Sequence, residues 1–464
     1  MGRKWLRGAA LCALVALVAV GCGSSRKGSD TGSGTTTTTA GGSASKTFGS
    51  LPSPCGKGTP APSTEVGVTA TDITIGYGDD AGYAAAPGLN KEMSDAMKAM
   101  IKWCNDQGGI NGRQIKGNYY DAKITEVNNA ITQACADKIF MLVGEGFALD
   151  AAQEQARLGC KLPAFPTYGV SPELANGPLA YFALPNPVDY QSVTEARFYA
   201  SKFPDKAKKM GSLVANFSAT LDTLSKQHSA WTKVGVTFLP SCEQQYSIAG
   251  ESDWKPFAQK LKECGAQAVS FIGSPYPNFE NLLEAASQLD YHPDWLLEGN
   301  FYDNDLAKWN TSGLADHIYV RNQNIPFEAA DKNPATKQYV DLVTASSGKV
   351  AALGLNATSA FLLWATQVKA CGATLTRQCV EDKAAAVRDW NGGGLQGTPG
   401  ADVGNNKPSI CEVVMSLQGT KWVQSDPAEL GKMDCNAANT QQVTGPVVDR
   451  VNLGSDRKSH KYGI

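Results

Sequence analysis

The sequence predicts an α/β protein with two Rossmann-like lobes, each built around a parallel sheet. Short β-rich runs alternate with helical patterns from Asp72 onward, and this alternation restarts after Pro185-Asn186-Pro187. The 464 residues also exceed the usual size of one domain, so two packed cores are expected. The two series of elements do not repeat in sequence, which argues against an internal duplication.

The first lobe begins with a predicted strand, Ile73–Tyr77. A helix follows over Asn90–Asn105, because its apolar residues recur with the 3.6-residue period of an amphipathic helix. The glycine-rich turn at 108–113 ends that helix. The next elements are strand Lys116–Asp121, helix Ile124–Lys138, strand Phe140–Gly144, helix Ala151–Leu158 and strand Pro163–Thr167.

The second lobe repeats the pattern with different residues. Its predicted strands are Gly211–Phe217, Gly235–Leu239, Ala268–Gly273 and Trp295–Leu297, and its helices are Ala219–Lys233, Trp254–Cys264 and Phe279–Leu289. Later helices at Asn356–Cys371 and Thr376–Trp390 and a final strand pair, Cys411–Leu417 and Lys421–Val423, complete the fold.

The N-terminal sequence predicts export and anchoring. Basic residues precede an apolar run over Gly8–Gly21, which is too short to span a bilayer and suits a signal peptide. The run ends in Ala19-Val-Gly-Cys22, which resembles a bacterial lipoprotein box, although Ala19 replaces the usual leucine. We therefore expect residues 1–22 to be a lipoprotein signal peptide and Cys22 to carry a lipid on the outer face of the cell membrane. Cys12 follows the bulky Leu11 and is expected to be discarded.

Residues 23–65 are predicted to be a disordered tether. Within 23–50 there are seven Gly, seven Ser and seven Thr, which leaves too little apolar surface to fold. The mature chain then holds ten of the twelve cysteines, an even number that favours disulfides in an oxidising compartment. Sequence cannot choose among the connectivities. Our expectation is Cys55–Cys104, Cys135–Cys160, Cys242–Cys264, Cys371–Cys379 and Cys411–Cys435, with the last pair the least favoured.

Charge and motifs exclude several functions. Forty-two basic against forty-four acidic residues leave no basic surface for nucleic acid. Gly76-Tyr-Gly78 begins a near match to G-x-G-x-x-G, but no glycine turn adjoins the helix that would hold a pyrophosphate. The four histidines have no metal-ligand spacing, and Ser252 lacks the second glycine of a nucleophile elbow. No enzyme, catalytic residue, metal or cofactor is therefore expected.

Several segments together resemble one family. They are Asn105-Asp-Gln-Gly-Gly-Ile-Asn-Gly-Arg113, Tyr119-Tyr-Asp121, Phe140-Met-Leu-Val-Gly144, Ser171-Pro-Glu-Leu174, Gln191 and Tyr276-Pro277. On these residues the chain resembles type I periplasmic binding proteins, in particular the leucine/isoleucine/valine-binding branch of ABC-transporter solute receptors, over about residues 68–425.

The resemblance implies a monomer whose two lobes close on a small molecule and present it to an ABC permease in the membrane. It also implies a three-stranded hinge, with chain crossings near Pro187, Pro326 and Gly397. The expected division is 66–186 plus 327–397 for lobe 1, 187–326 plus 398–440 for lobe 2, and 441–464 for a C-terminal tail.

Ligand-binding residues are expected just after the strands, because open α/β sheets bind ligands beyond the carboxyl ends of their strands. The candidates are Asp79, Tyr83, Glu145, Phe147, Tyr168, Gly169, Asp189, Tyr190, Phe217, Tyr276, Asn300, Phe301 and Tyr302. The adjacent acids at 79 and 80 are compatible with an acid/base pair or a cation site, but adjacent acids in a loop are more often simply solvated.

The ligand is expected to differ from that of the branched-chain receptors. Those receptors hold the amino-acid carboxylate with hydroxyl residues after strands three and four, where this chain has Glu145–Ala148 and Tyr168–Val170. The acid that binds the ammonium group is replaced by Asn300 and Phe301, although Asp189 remains a substitute. Aromatic walls with asparagine as polar director predict an aromatic or amide-like, largely neutral ligand.

Two rival functions share parts of this pattern. A sensor would use the same fold to feed a signalling partner, and neighbouring permease and ATPase genes would distinguish the two roles. A secreted enzyme would place a reactive triad or metal cluster among the strand-end residues.

Overall fold

The computed structural model describes residues 46–443. The predicted signal peptide with Cys22, the predicted tether up to residue 45 and the predicted tail from residue 444 lie outside the described residues. No helix in this described part combines the length and apolar character needed to cross a membrane.

The lobe 1 sheet has four parallel strands in the order β4-β3-β5-β6. Their bounds are β3 Asp72–Asp79, β4 Gln114–Asp121, β5 Met141–Val143 and β6 Ala164–Phe165. A hairpin of β1 Thr47–Phe48 and β2 Leu51–Pro52 precedes them. The central strand β5 is buried along its whole length, as expected for a parallel strand covered on both faces.

The lobe 2 sheet is larger, with the order β14-β13-β12-β11-β10-β8-β9 and β15 paired to β13. Strands β8 to β12 are parallel, whereas β13 and β14 run antiparallel at one edge. The bounds are β8 Met210–Ala215, β9 Phe238–Tyr246, β10 Ala268–Ile272, β11 Asp294–Leu297, β12 Ile318–Asn322, β13 Cys411–Gln418, β14 Lys421–Asp426 and β15 Asp434–Cys435.

Helices cover both sheets. They are α1 Lys91–Asp106, α2 Val127–Ala136, α3 Glu154–Gly159, α4 Pro172–Ala175, α5 Thr194–Lys202, α6 Pro204–Ala207, α7 Ser218–Trp231, α8 Lys255–Glu263, α9 Glu280–Gln288, α10 Asn304–Trp309, α11 Pro334–Ala345, α12 Ala352–Cys371 and α13 Arg377–Ala384. The almost wholly buried α12 packs against α1 and α13, so the chain returns to lobe 1 after β12. The predicted α/β architecture with parallel-sheet cores is confirmed.

Three chain segments join the sheets. The first leads through Pro187 to β7 Tyr190–Ser192, which pairs antiparallel with β16 Thr440–Gln442. The second and third pair with each other, since Ile325 N donates to Leu395 O at 2.8 Å and residues 324 and 396 form an antiparallel bridge. The hinge therefore consists of extended segments that hold one another by backbone hydrogen bonds.

The predicted tether extends too far into the folded chain. Residues 46–65 include the β1–β2 hairpin, and Phe48 is fully buried with its ring 5.5 Å from the ring of Trp103 on α1. Ser50 N donates to Gly393 O at 2.8 Å, and Cys55 is bonded to Cys104. A count of small residues over 23–50 does not register a single aromatic residue. Phe48 is that residue, and it helps to attach the segment to the core.

The structure contains the same five disulfides that sequential pairing predicts. The pair we favoured least, Cys411–Cys435, has a simple explanation. Residue 435 does not end a helix but lies on β15, directly opposite Cys411 in the antiparallel register, with a Cα–Cα distance of 3.9 Å.

We expect Phe48→Ala to lower the free energy of unfolding by about 3–4 kcal/mol, because it leaves a cavity beneath Trp103. Urea titration of the oxidised protein, followed by far-UV circular dichroism, measures the loss. Lys46→Ala, an exposed position two residues earlier, is the matched control and should change stability by less than about 0.5 kcal/mol. Equal midpoints for the two variants would show that the hairpin contributes nothing to the core.

Candidate functional site

A cavity of about 530 Å³ lies between the lobes, within the usual range for small-molecule sites. The strand ends line it. Tyr168 and Gly169 follow β6, Phe217 follows β8, and Asn300 follows β11. This is the position that open α/β sheets reserve for ligands. The cleft predicted from the strand order is therefore present as a cavity, bounded by loops of both lobes.

Five of the thirteen predicted ligand residues line this cavity. They are Tyr83, Tyr168, Gly169, Phe217 and Asn300. Asn300 is already engaged in part, since its Nδ2 donates to Gly273 O at 2.9 Å. The role of these residues in binding stays a prediction.

Three predicted aromatic residues point into the core instead. Phe147 packs in the apolar cluster beneath α2, and Phe301 packs against the rings of Phe271 and Phe279. Tyr302 is stacked 4.0 Å from the Phe327 ring and is fully buried. A strand-end position in sequence does not specify the side to which its side chain points. These three aromatic rings pack in the core rather than facing the cavity.

Two predicted acids are also buried outside the cavity. The Asp79 carboxylate accepts hydrogen bonds from Tyr119 Oη at 2.6 Å and from Ala81 N at 3.0 Å, so it fixes its own loop. Glu145 is fully buried, and neither carboxylate oxygen has a partner among the described residues. Burial raises the pKa of Glu145 to about 7.

The remaining predicted residues lie at the margins. Asp189 contributes its backbone oxygen to Val443 N at the hinge, and Tyr190 lines a separate small cavity. Tyr276, in lobe 2, donates its hydroxyl to the backbone oxygen of Pro87 in lobe 1. Tyr276 therefore bridges the lobes beside the cavity rather than lining it.

Sequence reasoning missed the charged pair in the cavity wall. Arg321, on β12, places Nη2 2.5 Å and Nε 3.0 Å from Glu298 Oε2, and its Nη1 lies 3.2 Å from Glu412 Oε1. Gln227 Nε2 donates to the other Glu298 oxygen at 3.0 Å. One guanidinium is thus shared between two carboxylates, and Gln227 adds a neutral donor to one of them.

Two further ionisable groups, Glu195 and Lys226, interact electrostatically with Glu298 and Arg321. Glu195 is fully buried, and both burial and the neighbouring Glu298 carboxylate raise its pKa well above the usual range. Burial lowers the pKa of Lys226 to about 8, while its Nζ donates to Pro187 O at 2.9 Å and to Asn186 Oδ1 at 3.2 Å.

Side-chain amides form the hinge side of the cavity. Asn324 Nδ2 donates to Asn356 Oδ1 at 2.8 Å, and Gln396 Nε2 donates to Asn324 Oδ1 at 2.5 Å. Asn322 Nδ2 donates to Asn324 O at 2.8 Å. Asn322, Asn324 and Asn356 all line the cavity. The second and third hinge segments are therefore joined by neutral polar groups that also face the ligand space.

Thr167 supplies an unpaired hydroxyl. Thr167 is one of the residues that line the cavity, it is 1% exposed, and its Oγ1 has no hydrogen-bond partner among the described residues. A buried polar atom without a partner costs about 1–3 kcal/mol. A ligand that pairs with this oxygen would recover that cost.

One missed strand explains several of the missed residues. Residues 318–322 read Ile-Tyr-Val-Arg-Asn and form β12, which we did not predict. Had that strand been assigned, the strand-end rule would have indicated Arg321 to Asn324, just before Pro326. Glu298 directly follows β11 and was passed over in favour of Asn300.

Comparison with known proteins agrees with this geometry. The profile of the family described as periplasmic binding protein matches residues 72–420, well over half of the chain. The chain belongs to this family. It is a type I periplasmic binding protein, and thus an extracytoplasmic solute-binding protein of the ABC-transporter type rather than an enzyme. No curated protein matches its sequence.

Solved structures share the fold of this periplasmic binding protein at low identity. A fatty acid ABC transporter substrate-binding protein from Thermomonospora curvata has a TM-score of 0.67 at 14% identity, covering 82% of this chain and 96% of its own. A branched-chain amino acid transporter substrate-binding protein from Streptococcus pneumoniae, solved with isoleucine, has 0.60 at 15%, covering 76% and 98%. A solute-binding protein from Rhodopseudomonas palustris, solved with 3,4-dihydroxybenzoic acid, has 0.61 at 15%, covering 75% and 93%.

We expect Glu145→Gln to stabilise the protein at pH 8 by on the order of 3 kcal/mol. Because the folded-state pKa is raised to about 7, the native state holds an extra proton between about pH 4.5 and 7. Stability contributed by this group is therefore lost as pH rises through that window. The midpoint of thermal unfolding, measured between pH 4.5 and 8, should fall less steeply with rising pH in the variant than in wild type.

The exposed Glu126→Gln is the control and should leave the decline of wild type unchanged. Identical pH profiles for Glu145→Gln and wild type would refute the assignment of a buried, protonated Glu145.

Proposed function

We propose that this protein is a lipid-anchored solute receptor that captures a neutral, amide-like or aromatic small molecule between its lobes and delivers it to an ABC importer. The observation that carries the ligand class is the charge balance of the cavity. Among the described lining residues no lysine is present, and the guanidinium of Arg321 is already paired with Glu298 and Glu412.

A zwitterionic amino acid fits this balance poorly. Its carboxylate needs an uncompensated donor set and its ammonium an uncompensated acceptor set. Glu298 is held by Arg321 and Gln227, and Glu251 accepts the backbone N–H of Ser247 at 2.6 Å. A neutral ligand needs no cation from a wall whose single guanidinium is already shared between two carboxylates.

Neutral polar recognition is well supplied. The Thr167 hydroxyl and the amides of Asn322, Asn324 and Asn356 offer both donors and acceptors, the complement that a carboxamide requires. The rings of Tyr83, Tyr168, Phe217 and Tyr246 provide faces for a flat group. The compared structures were solved with isoleucine in one case and an aromatic acid in another, so the fold leaves the choice of ligand to the cavity.

We expect Thr167→Val to weaken ligand binding about five- to tenfold while raising the stability of the unliganded protein by about 1 kcal/mol. The isosteric change removes an unpaired buried hydroxyl that only the ligand satisfies. Calorimetry against neutral carboxamides, aromatic acids and leucine measures binding, and thermal unfolding measures stability.

Thr336→Val, on α11, is the matched control. Thr336 is fully buried and its Oγ1 also has no partner among the described residues, but it lies outside the cavity. It should raise stability and leave binding unchanged. Leucine binding more tightly than every neutral compound would overturn the proposed ligand class.

We expect Cys22→Ser to release the protein from the membrane fraction into the surrounding medium, because the serine hydroxyl cannot carry the thioether lipid. Uptake of the ligand by whole cells should fall with it. Cys12→Ser, in the segment expected to be discarded, is the control and should leave both unchanged. Retention of the Cys22→Ser protein in membranes would contradict the anchoring.

A further inference from the structure

The outer end of the cavity is apolar, in contrast to the amide-lined hinge side. Ala86, Leu89 and Ile124 form a separate cluster, 4–6% exposed, against which Tyr83, Ala148, Leu149 and Ile248 pack. Ile248 belongs to lobe 2 and the others to lobe 1. All of these residues except Leu149 line the cavity.

Ile124 has an unusual backbone conformation. Its φ is +63°, in the left-handed region that β-branched residues strongly avoid. Such strain persists only when the surroundings fix it, and it concentrates at ligand sites.

The Asp80 carboxylate holds Ile124 in this left-handed conformation. Its Oδ1 accepts the N–H of Ile124 at 2.8 Å, and its Oδ2 accepts the N–H of Ala148 at 2.7 Å. Asp80 is fully buried and follows β3, while Ile124 and Ala148 lie in the loops after β4 and β5. One carboxylate therefore sets the position of two lining residues on neighbouring strand-end loops.

The outer end is also covered. The Tyr276 hydroxyl of lobe 2 donates to Pro87 O, and Pro87 lies between the cluster members Ala86 and Leu89. The apolar end is thus enclosed by a contact between the lobes. Water in such a space would have few polar partners, and an aliphatic group would displace it favourably.

We propose that Ala86, Leu89, Ile124 and Ile248 form a preformed subsite for an aliphatic chain, with Asp80 as its positioning residue. The proposal rests on the proposed neutral ligand and makes it more specific. The solute is an amphipathic molecule, with an uncharged carboxamide-like group at the hinge and a straight or branched alkyl chain at the outer end.

The test is calorimetry of the purified full-length protein with straight-chain amides from acetamide to octanamide. Affinity should rise by roughly three- to fourfold per methylene until the cavity is full. Equal affinities along the series would overturn the alkyl subsite while leaving the neutral-ligand proposal standing. If no amide of any length binds, the neutral-amide proposal fails and the subsite fails with it.

Ile124→Asn separates the subsite from folding. Asparagine tolerates the left-handed conformation but removes buried aliphatic surface, so the variant should stay folded with a modestly lower unfolding midpoint and should lose most of the gain in affinity per methylene. The matched control is Lys123→Asn, because Lys123 also has positive φ, +47°, but is exposed. Its chain-length dependence should equal that of wild type, and an equal loss in both variants would overturn the role of Ile124.

Asp80→Asn tests the positioning role. Its amide group offers one acceptor where the carboxylate offered two, so one of the two backbone N–H groups loses its partner. Acetamide affinity should stay within about twofold of wild type, while the gain per methylene should fall. A uniform loss of affinity along the whole series would show that Asp80 acts on the fold rather than on the subsite.

Discussion

The guanidinium of Arg321 determines the electrostatics of the whole cleft. It joins β12 to Glu298, after β11, and to Glu412 on β13, beside the hinge. Without it, two carboxylates would be left in a region that is almost closed to water, at a cost of several kcal/mol each. We therefore expect the pairing to stabilise lobe 2, and it leaves Arg321 no unpaired charge to offer a ligand.

Because the Arg321 guanidinium is already paired within the protein, we expect ligand selection to depend on hydrogen-bond geometry and shape. The amides at the hinge are joined to one another across the second and third crossings, so a ligand that paired with them, as we propose, would act directly on the hinge segments. Recognition and motion are coupled at the same groups. A purely apolar hinge would offer no such coupling.

The sequence predicted the fold well because its helices are long and periodic and its central strands are continuous apolar runs. Helix α1 and strand β3 differ from their predicted bounds by one or two residues. Strand β12 escaped prediction because it is short and ends in Arg-Asn, residues that a lone strand does not favour. Phe48 escaped because a count of small residues does not register a single anchoring ring.

The site was harder to predict, for a physical reason. The strand-end rule fixes where loops converge, but the direction of each side chain depends on packing between distant elements. Phe301 and Tyr302 pack against aromatic rings in the core. The neighbouring Asn300 lines the cavity instead. Gln227 and Glu412 reach Glu298 and Arg321 from elements far away in sequence, so no local pattern marks them.

Once the backbone is known, a residue whose type does not suit its backbone conformation indicates a position under some other constraint. Several of the positive-φ positions are asparagines, such as Asn90 and Asn111, for which that conformation is ordinary. Ile124 is a β-branched residue at such a position, and it lies in the cavity wall, held by a buried carboxylate. Natural sequences tolerate a broken local rule where another demand outweighs it. In the subsite that we propose, the demand is an aliphatic surface presented to the ligand, because glycine or asparagine would satisfy the backbone equally well and would leave that surface absent.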